Sequence, residues 1–330
     1  MSILSHPRFH DEQAAFDYVE AALWPNGPVC PHCGGFERIS AIKPNIEKRV
    51  RIGLKFCGQC RKQFTVRVGT IFEESKLPMT KWLQAIFLMV SSKKGVSAHQ
   101  LHRTLETTYK TAWFLAHRIR EAMREGELGP FGMGGATVEV DETFLWTDPD
   151  APSAETKNRP GVQQMMKVVS LVERETGRAR STVVDNLTVD DVVPVVEANL
   201  SREAKLRTDE SRLYKTMGRY YAEHETVVHG IGEYVRLNDP SVHTNTIEGY
   251  FSIFKRGMKG VYQHCAKKHL HRYLAEFDFR YSYRVGLGVD DLQRADIALG
   301  GFPGRRLTYR PTDKGQPSTT DGAQKTALGA

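Results

Sequence analysis

Four of the five cysteines in the chain form two C-x-x-C pairs, a pattern that binds metal ions. The first pair is Cys30 and Cys33 in "CPHCGG", and the second is Cys57 and Cys60 in "CGQC". Two intervening residues let both thiolates of a pair turn toward one ion, and two pairs complete a tetrahedral site for zinc. In a reducing compartment this spacing indicates metal ligation and not a disulfide framework. The sequence therefore predicts one structural Zn²⁺ ion.

Acidic residues in the segment "ATVEVDETFL" are the second candidates for chemistry. The segment alternates as a strand does, with Val138 and Val140 on one face and Glu139 and Asp141 on the other. Carboxylates beside such an apolar run are costly to bury unless they are paired or bind a metal ion. Two carboxylates joined by a third can hold two Mg²⁺ ions about 3.5–4 Å apart, which suits in-line attack on a phosphodiester. A turn or capping role for single aspartates at strand ends is the alternative.

The stretch "HTNTIEGYFSIFKRG" predicts a helix from about Asn245 that carries both an acid and lysines. At about 100° per residue, Lys255 points within about 20° of Glu248 and lies roughly 10 Å further along the helix. A metal ion at Glu248 and a phosphate at Lys255 would fit on one surface. Alternatively, "NTIE" has the form of a capping box, with Asn245 as the cap and Glu248 three residues later. Capping does not explain Lys255 or Lys259.

The elements around these acids predict an α/β domain. "MKVVSLVER", "ETG" and "ARSTVVDN" indicate a hairpin, "TVDDVVPVVEANL" a helix capped by Thr188, and "AKLRTDES" a strand that ends at Asp209. Three antiparallel strands, a helix and a further strand are similar to the ribonuclease-H-like (RNase-H-like) fold. In that fold Asp141 and Asp209 lie on adjacent strands. A loop between the first two strands is expected to be an insertion, with Pro149, Pro152 and Pro160.

Strands are also predicted around the cysteine pairs, which together make a zinc ribbon. Val50, Ile52, Leu54 and Phe56 alternate with polar residues or glycine, and this period of two indicates a half-buried strand. The same period recurs after the second pair, at Phe64, Val66 and Val68.

From about Met79 to Glu125 the apolar period becomes helical. The segment "KKGVSAHQLHRTLE" has a Gly break and an N-cap candidate in Ser97, so we expect a helix, a short helix, a turn and a helix. On the last helix, basic and aromatic residues share a face: Lys110, Trp113, His117, Arg120 and Arg124. This is the outline of a helix-turn-helix whose final helix enters a DNA major groove. A three-helix connector with a solvated basic face is the alternative.

The overall composition favours a polyanionic partner in the cytosol. Lys and Arg total 46 against 39 Asp and Glu, a net charge of +7. No run approaches the roughly 18 apolar residues of a membrane span, and no signal peptide is apparent. We therefore expect a ribbon domain at 1–75, a helical region at 76–130, the α/β domain at 131–300 and a disordered tail at 301–330.

Several of these motifs resemble one known family. "CPHCGG", "CGQC", "QFTVRVGTIFEESKLPMTKWLQAIFLM", "VEVDETF" and "HTNTIEGYFSIFKRGMKGVYQH" are similar to segments of bacterial insertion-sequence transposases of the ISXO type. The resemblance runs from Phe9 to about Arg284. It implies an RNase-H-like catalytic domain, two Mg²⁺ or Mn²⁺ ions, and DNA nicking and strand transfer. It also implies binding to terminal inverted repeats and to target DNA, as a homo-oligomer in the bacterial cytoplasm at the nucleoid.

Site residues follow from the resemblance position by position. Asp141 matches the first carboxylate of a DDE triad, Asp209 stands where the second is expected, and Glu248 matches the third. Lys255 takes the basic position that follows. Asp185 in "VVDN" competes with Asp209, although it ends a strand farther from Asp141. Some related proteins use Asn as the third residue, which keeps Asn245 a candidate.

Two other functions fit the same motifs. A domesticated regulator would keep DNA binding without catalysis, and a nuclease would cut DNA without joining its ends. All three acids are present, which favours the transposase.

Overall fold

The computed structural model describes residues 2–124, 129–148, 161–305 and 307. The expected insertion with Pro149, Pro152 and Pro160 lies outside these residues, as does most of the expected tail. The described chain continues into the N-terminal core beyond residue 300, because Phe302 is fully buried there and Pro303 bridges to Thr70. The expected tail boundary at 301 is therefore too early.

The N-terminal part combines one helix with a small antiparallel sheet. Helix α1 spans Glu12–Leu23 and begins where the Asp11 carboxylate accepts the N–H of Ala14. The ribbon strands follow in the order β1-β2-β3, with the bounds Ile39–Ala41, Lys55–Cys57 and Gln63–Phe64.

The strand predicted over Val50–Phe56 is wrong in its first half. Gly53 has a φ of +74°, and a Cβ there would lie 2.4 Å from the Phe16 ring. The chain turns at this point to pass over α1, so regular pairing begins only at Lys55.

Three helices and the C-terminal helix share one core. Their bounds are α2 Met79–Ser91, α3 Ala98–Thr104, α4 Tyr109–Ala122 and α9 Asp291–Gly300. The predicted cap at Ser97 is confirmed, since its hydroxyl accepts the N–H of Gln100. Apolar residues of α9 pack with those of α1, α2 and α4, so the chain's last described helix belongs to the N-terminal core.

A five-stranded sheet forms the second half of the molecule. Its strands are β4 Thr137–Thr147, β5 Met165–Glu173, β6 Ala179–Val184, β7 Lys205–Thr208 and β8 Glu223–Thr226. They lie in the order β6-β5-β4-β7-β8. The first three are antiparallel, while β7 pairs parallel with β4 and β8 parallel with β7. The predicted RNase-H-like fold is confirmed.

Helices cover both faces of this sheet. One face packs against α5 Val189–Asn199 and α6 Arg212–Met217, and the other against α7 Asn245–Gly257 and α8 Lys267–Ser282. The predicted cap of α5 is confirmed, because Thr188 accepts the N–H of Asp191. A two-stranded ribbon, β9 Val235–Arg236 with β10 Asp239–His243, leads into α7.

The apolar stripe predicted for α7 is confirmed, since all four of its residues are buried: Ile247, Phe251, Phe254 and Met258. This stripe fixes the rotation of the helix on the sheet and therefore the direction of Glu248 and Lys255. Within the described ranges, every helix is too short or too polar to cross a bilayer.

Candidate active site and metal centre

The four ribbon cysteines converge on a single point. Their sulfur atoms all lie within 4.8 Å of one another, with Cys30 Sγ 3.6 Å from Cys60 Sγ and Cys33 Sγ 3.7 Å from Cys57 Sγ. A tetrahedral zinc ion with Zn–S bonds of about 2.3 Å requires sulfur separations of about 3.8 Å. The arrangement therefore fits a structural Zn²⁺, as the spacing predicts.

A second cluster lies where β4 and β7 meet. Carboxylate oxygens of Asp141, Glu142 and Asp209 all lie within 4.8 Å of one another. Asp141 stands in the middle of β4, and Asp209 follows the last residue of β7. Because β4 and β7 are parallel neighbours, their register carries both aspartates to the same level of the sheet.

The surroundings of this cluster raise the pKa of each of its three acids. Burial, and then the charge of Glu142, raises the pKa of Asp141 to about 8. Burial, and then Asp209, raises the pKa of Glu142 to about 7. Burial also raises the pKa of Asp209, although the N–H that Ser211 donates to it at 2.9 Å acts to lower it. A divalent cation would stabilise the ionised forms of all three.

Glu248 lies beside this cluster and outside its closest group. Its charge raises the pKa of Asp141, although less than Glu142 and Asp209 do. Its Oε1 accepts the hydroxyl of Thr244 at 3.2 Å and lies 3.7 Å from Nε2 of His229. The side chain is 40% exposed, so a ligand from solvent can reach it.

The structure contradicts the capping box at the start of α7. Thr244 is the N-cap and makes no side-chain capping bond, while Asn245 is the first helical residue. Asn245 is exposed and its N–H is donated to His243 Nδ1 at 3.3 Å. Capping therefore does not explain Glu248.

Glu139, the other acid of the predicted pair, ties α7 to the sheet. It is fully buried, accepts Nε of Arg174 at 2.6 Å and accepts the N–H of Ile247 at 2.8 Å. Binding the first turn of α7 in this way places Glu248 next to Asp141.

Asp185, the competitor for the second carboxylate, lies away from this cluster. It follows the edge strand β6, is 77% exposed and pairs with Lys267 at 2.7 Å. One strand, β5, separates β6 from β4.

Of the two predicted lysines, Lys255 lies near enough to Asp141 to be affected by its charge. Burial, then Lys259, lowers the pKa of Lys255, and Asp141 opposes that shift. Neither lysine makes an ion pair within 4.0 Å in the part of the chain that the structure describes.

The prediction that Arg120 contacts DNA is wrong. Arg120 is 2% exposed, and its Nε donates to Glu276 Oε2 at 2.7 Å. Its guanidinium also lies 4.1 Å from the Tyr273 ring centroid. Helix α8 covers this face of α4, so Arg120 holds two helices together.

The other basic residues of α4 differ in exposure. Lys110 is exposed in the first turn, whereas Arg124 is 39% exposed and pairs with Glu121 at 2.7 Å. His117, on the same predicted face, is buried among Trp113, His269 and Tyr273. Along this face of the described residues, Lys110 in the first turn of α4 is exposed, Arg124 just beyond the helix is partly exposed, and His117 and Arg120 between them are buried.

Glu142 is the cluster residue that the sequence pattern does not predict. Strand alternation places it on the same face as Val138 and Val140, away from Asp141. The signal that points to it is the adjacent acid pair in "VDET".

Parts of the chain are similar to known proteins. Residues 133–282 match the family model of the ISXO2-like transposase domain, and residues 10–63 match that of the transposase zinc-ribbon domain. A protein in transposable element ISH50 of Halobacterium salinarum is 27% identical over 287 residues, or 82% of this chain and 91% of that protein. A chain of a pre-cleavage Mos1 transpososome is 10% identical over 60% of this chain and 75% of that chain, with a TM-score of 0.21.

Proposed function

The chain carries an ISXO2-like transposase domain behind a transposase zinc ribbon, and we propose that it cuts and joins DNA at the ends of an insertion sequence. Asp141, Asp209 and Glu248 are the DDE triad of this reaction. The inverted repeats at the element's ends and a target duplex are its substrates.

The observation that carries the proposal is the meeting of Asp141 with Asp209. They come from different strands, lie within 4.8 Å through their carboxylate oxygens, and have Glu248 beside them on α7. Buried carboxylates at such separations repel one another unless protons or cations offset their charge. This arrangement supports a site for divalent cations.

The donor set fits Mg²⁺ or Mn²⁺, because it consists of carboxylate oxygens, the ligands that hard cations prefer. When bound, two such ions supply activation of the attacking oxygen and stabilise charge on the leaving oxygen. Asp141 and Asp209 would hold these ions together with Glu248. The chain itself forms no covalent intermediate in this scheme.

Lys255 and Lys259 position the DNA backbone beside the acids. Lys255 stands about two turns from Glu248 on α7, and Lys259 follows one turn later, just beyond the end of the helix. A phosphate held by these lysines would lie beside the acids. The charge of Asp141 acts on Lys255, which supports this placement.

Helix α4 and the ribbon recognise the element's ends. A recognition helix contacts bases through its N-terminal residues, and Tyr109 and Lys110 are exposed at this end of α4. Arg124, just beyond the other end of α4, contacts a backbone phosphate in this proposal. Phosphate contacts set position and base contacts set sequence preference. We place this activity in the bacterial cytoplasm, in a homo-oligomer assembled on DNA.

Cleavage of a duplex bearing the inverted repeats that flank the gene tests this proposal. The wild-type chain is expected to cut at the repeat ends only with Mg²⁺ or Mn²⁺. Asp209→Asn should abolish cutting and retain DNA binding, whereas Asp185→Asn should cut as the wild type does. Cutting by Asp209→Asn would contradict the assignment, and binding without cutting by the wild type would favour the regulator.

A further inference from the structure

Glu142 enters the carboxylate cluster from the face of the sheet opposite to Asp141. Val138 and Val140 pack in the core beneath α5 and α6, and Glu142 continues their alternation on that face. Glu139 and Asp141 occupy the α7 face, where Glu139 binds the N–H of Ile247. Two neighbouring strand residues therefore reach one point from opposite sides.

The end of β7 explains how they meet. Strand β7 pairs with β4 only from Thr137 to Glu139, and it ends at Thr208. Beyond that point the edge of β4 no longer has β7 beside it. Side chains from both faces can converge there on Asp209, within 4.8 Å of one another.

A buried hydroxyl points to a ligand at this place. Tyr214 of α6 is fully buried, and its Oη has no hydrogen-bond partner of good geometry among the residues that the structure describes. The charges of Glu142, Asp141 and Asp209 all act on this hydroxyl, which places it beneath the cluster. A buried hydroxyl without a well-formed hydrogen bond is unfavourable, and the oxygens of a hydrated cation would complete that bond.

We propose that Glu142 is a ligand of the divalent ion shared by Asp141 and Asp209. The inference rests on the proposed function and adds a fourth carboxylate to its three. Glu248 lies with Thr244 and His229, outside the group that Glu142 completes. Glu142 thus binds from the α6 side, while Glu248 approaches from the α7 side.

Titration of Mn²⁺ into the zinc-loaded full chain without DNA tests this role. Calorimetry gives the affinity, and the electron paramagnetic resonance signal of free Mn²⁺ gives the number of ions bound. Thiolates prefer zinc, so the ribbon does not compete for Mn²⁺. Glu142→Gln is expected to raise the Mn²⁺ Kd about ten-fold or more, since even outer partners of a metal ligand change affinity by about that much.

The control variant is Asp185→Asn, which removes a carboxylate that follows β6 and lies outside the cluster. It should keep the wild-type affinity. Glutamine keeps the size and shape of Glu142 without its charge, so a purely structural role predicts unchanged Mn²⁺ binding in Glu142→Gln. That result would overturn the proposal. If Glu142→Gln does not fold, as judged by circular dichroism, Glu142→Asp keeps the charge with a shorter reach. A wild-type Kd for Glu142→Asp would then overturn the role.

Asp141→Asn separates this inference from the proposed function. If Asp141→Asn loses Mn²⁺ binding and Glu142→Gln binds normally, the proposed function stands and only the role of Glu142 is rejected. Wild-type Mn²⁺ binding by Asp141→Asn contradicts both the proposed function and the role of Glu142.

Discussion

Replacing Arg120 with alanine should destabilise the fold without weakening the DNA contacts of the folded protein. The Arg120 side chain is 3% exposed and that of Glu276 is fully buried, with 2.7 Å between Nε and Oε2. Although burial alone would lower the pKa of Arg120, the charge of Glu276 raises it. The two residues therefore form a charged pair inside the protein.

The expected loss in the free energy of unfolding depends on the buried Glu276 carboxylate that Arg120→Ala leaves without its partner. At 2.7 Å and an effective dielectric constant of about 20, the attraction is about 6 kcal/mol before desolvation is subtracted. Removing one member of a buried pair costs about 3–5 kcal/mol, because the other charge stays buried. Glu276 keeps Arg280 at 2.7 Å and the Tyr262 hydroxyl at 2.6 Å, which favours the lower end of that range.

Urea denaturation of Arg120→Ala against the wild type measures this cost, and fluorescence anisotropy with duplex DNA measures binding. Arg124→Ala, just beyond the end of α4, is the matched control for stability, because its ion pair is partly exposed and worth about 1 kcal/mol or less. Our reasoning is refuted if Arg120→Ala keeps wild-type stability and loses DNA affinity, since Arg120 would then act at the DNA surface.

Three further results are expected. His117 is 1% exposed, and burial, then the charge of Arg120, lowers its pKa to about 2. Below the unfolded-state pKa of about 6.5, the His117 ring is protonated in the unfolded chain but not in the folded one. The free energy of unfolding should therefore fall by about 2–3 kcal/mol between pH 6.5 and 4.5. His117→Phe should show a smaller loss in denaturation curves, and an equal loss would contradict the assignment. Chelating the zinc, or replacing Cys57 with serine, should abolish hydrogen-exchange protection in residues 30–64 and preserve it in β4 and β5. If the ribbon stays protected, zinc is not structural. Lys255→Ala should reduce the slope of log binding constant against log salt concentration by about one phosphate contact. Lys205→Ala, which is exposed at the opposite end of the sheet, should leave this slope unchanged. Equal slopes for the wild type and Lys255→Ala would exclude a phosphate contact at Lys255.

Local patterns were sufficient to predict the elements that hold the site. The alternation in "ATVEVDETFL" and the apolar stripe of α7 both follow from the burial of one face, a pattern that is visible within a single segment. The caps at Ser97 and Thr188 follow from side chains that bond their own helix. The expected pairing of Asp141 with Asp209 required only the order of strands.

Contacts between distant segments could not be predicted in this way. The period of α4 puts Arg120 on a polar face, but it does not show that Glu276 and Tyr273 of α8 pack there. Alternation assigns Glu142 to the face of Val140, and only the early end of β7 lets it meet Asp141. Gly53 breaks a predicted strand because Phe16 lies against it.

The most direct test of the catalytic site is strand transfer by Glu248→Gln. The substrate is a pre-cut inverted-repeat end with a free 3′-hydroxyl, incubated with plasmid target and Mg²⁺. The wild-type chain should join the end to the plasmid, and Glu248→Gln should bind the same DNA without joining it. Joining by Glu248→Gln would contradict the assignment of Glu248 to the metal-binding triad.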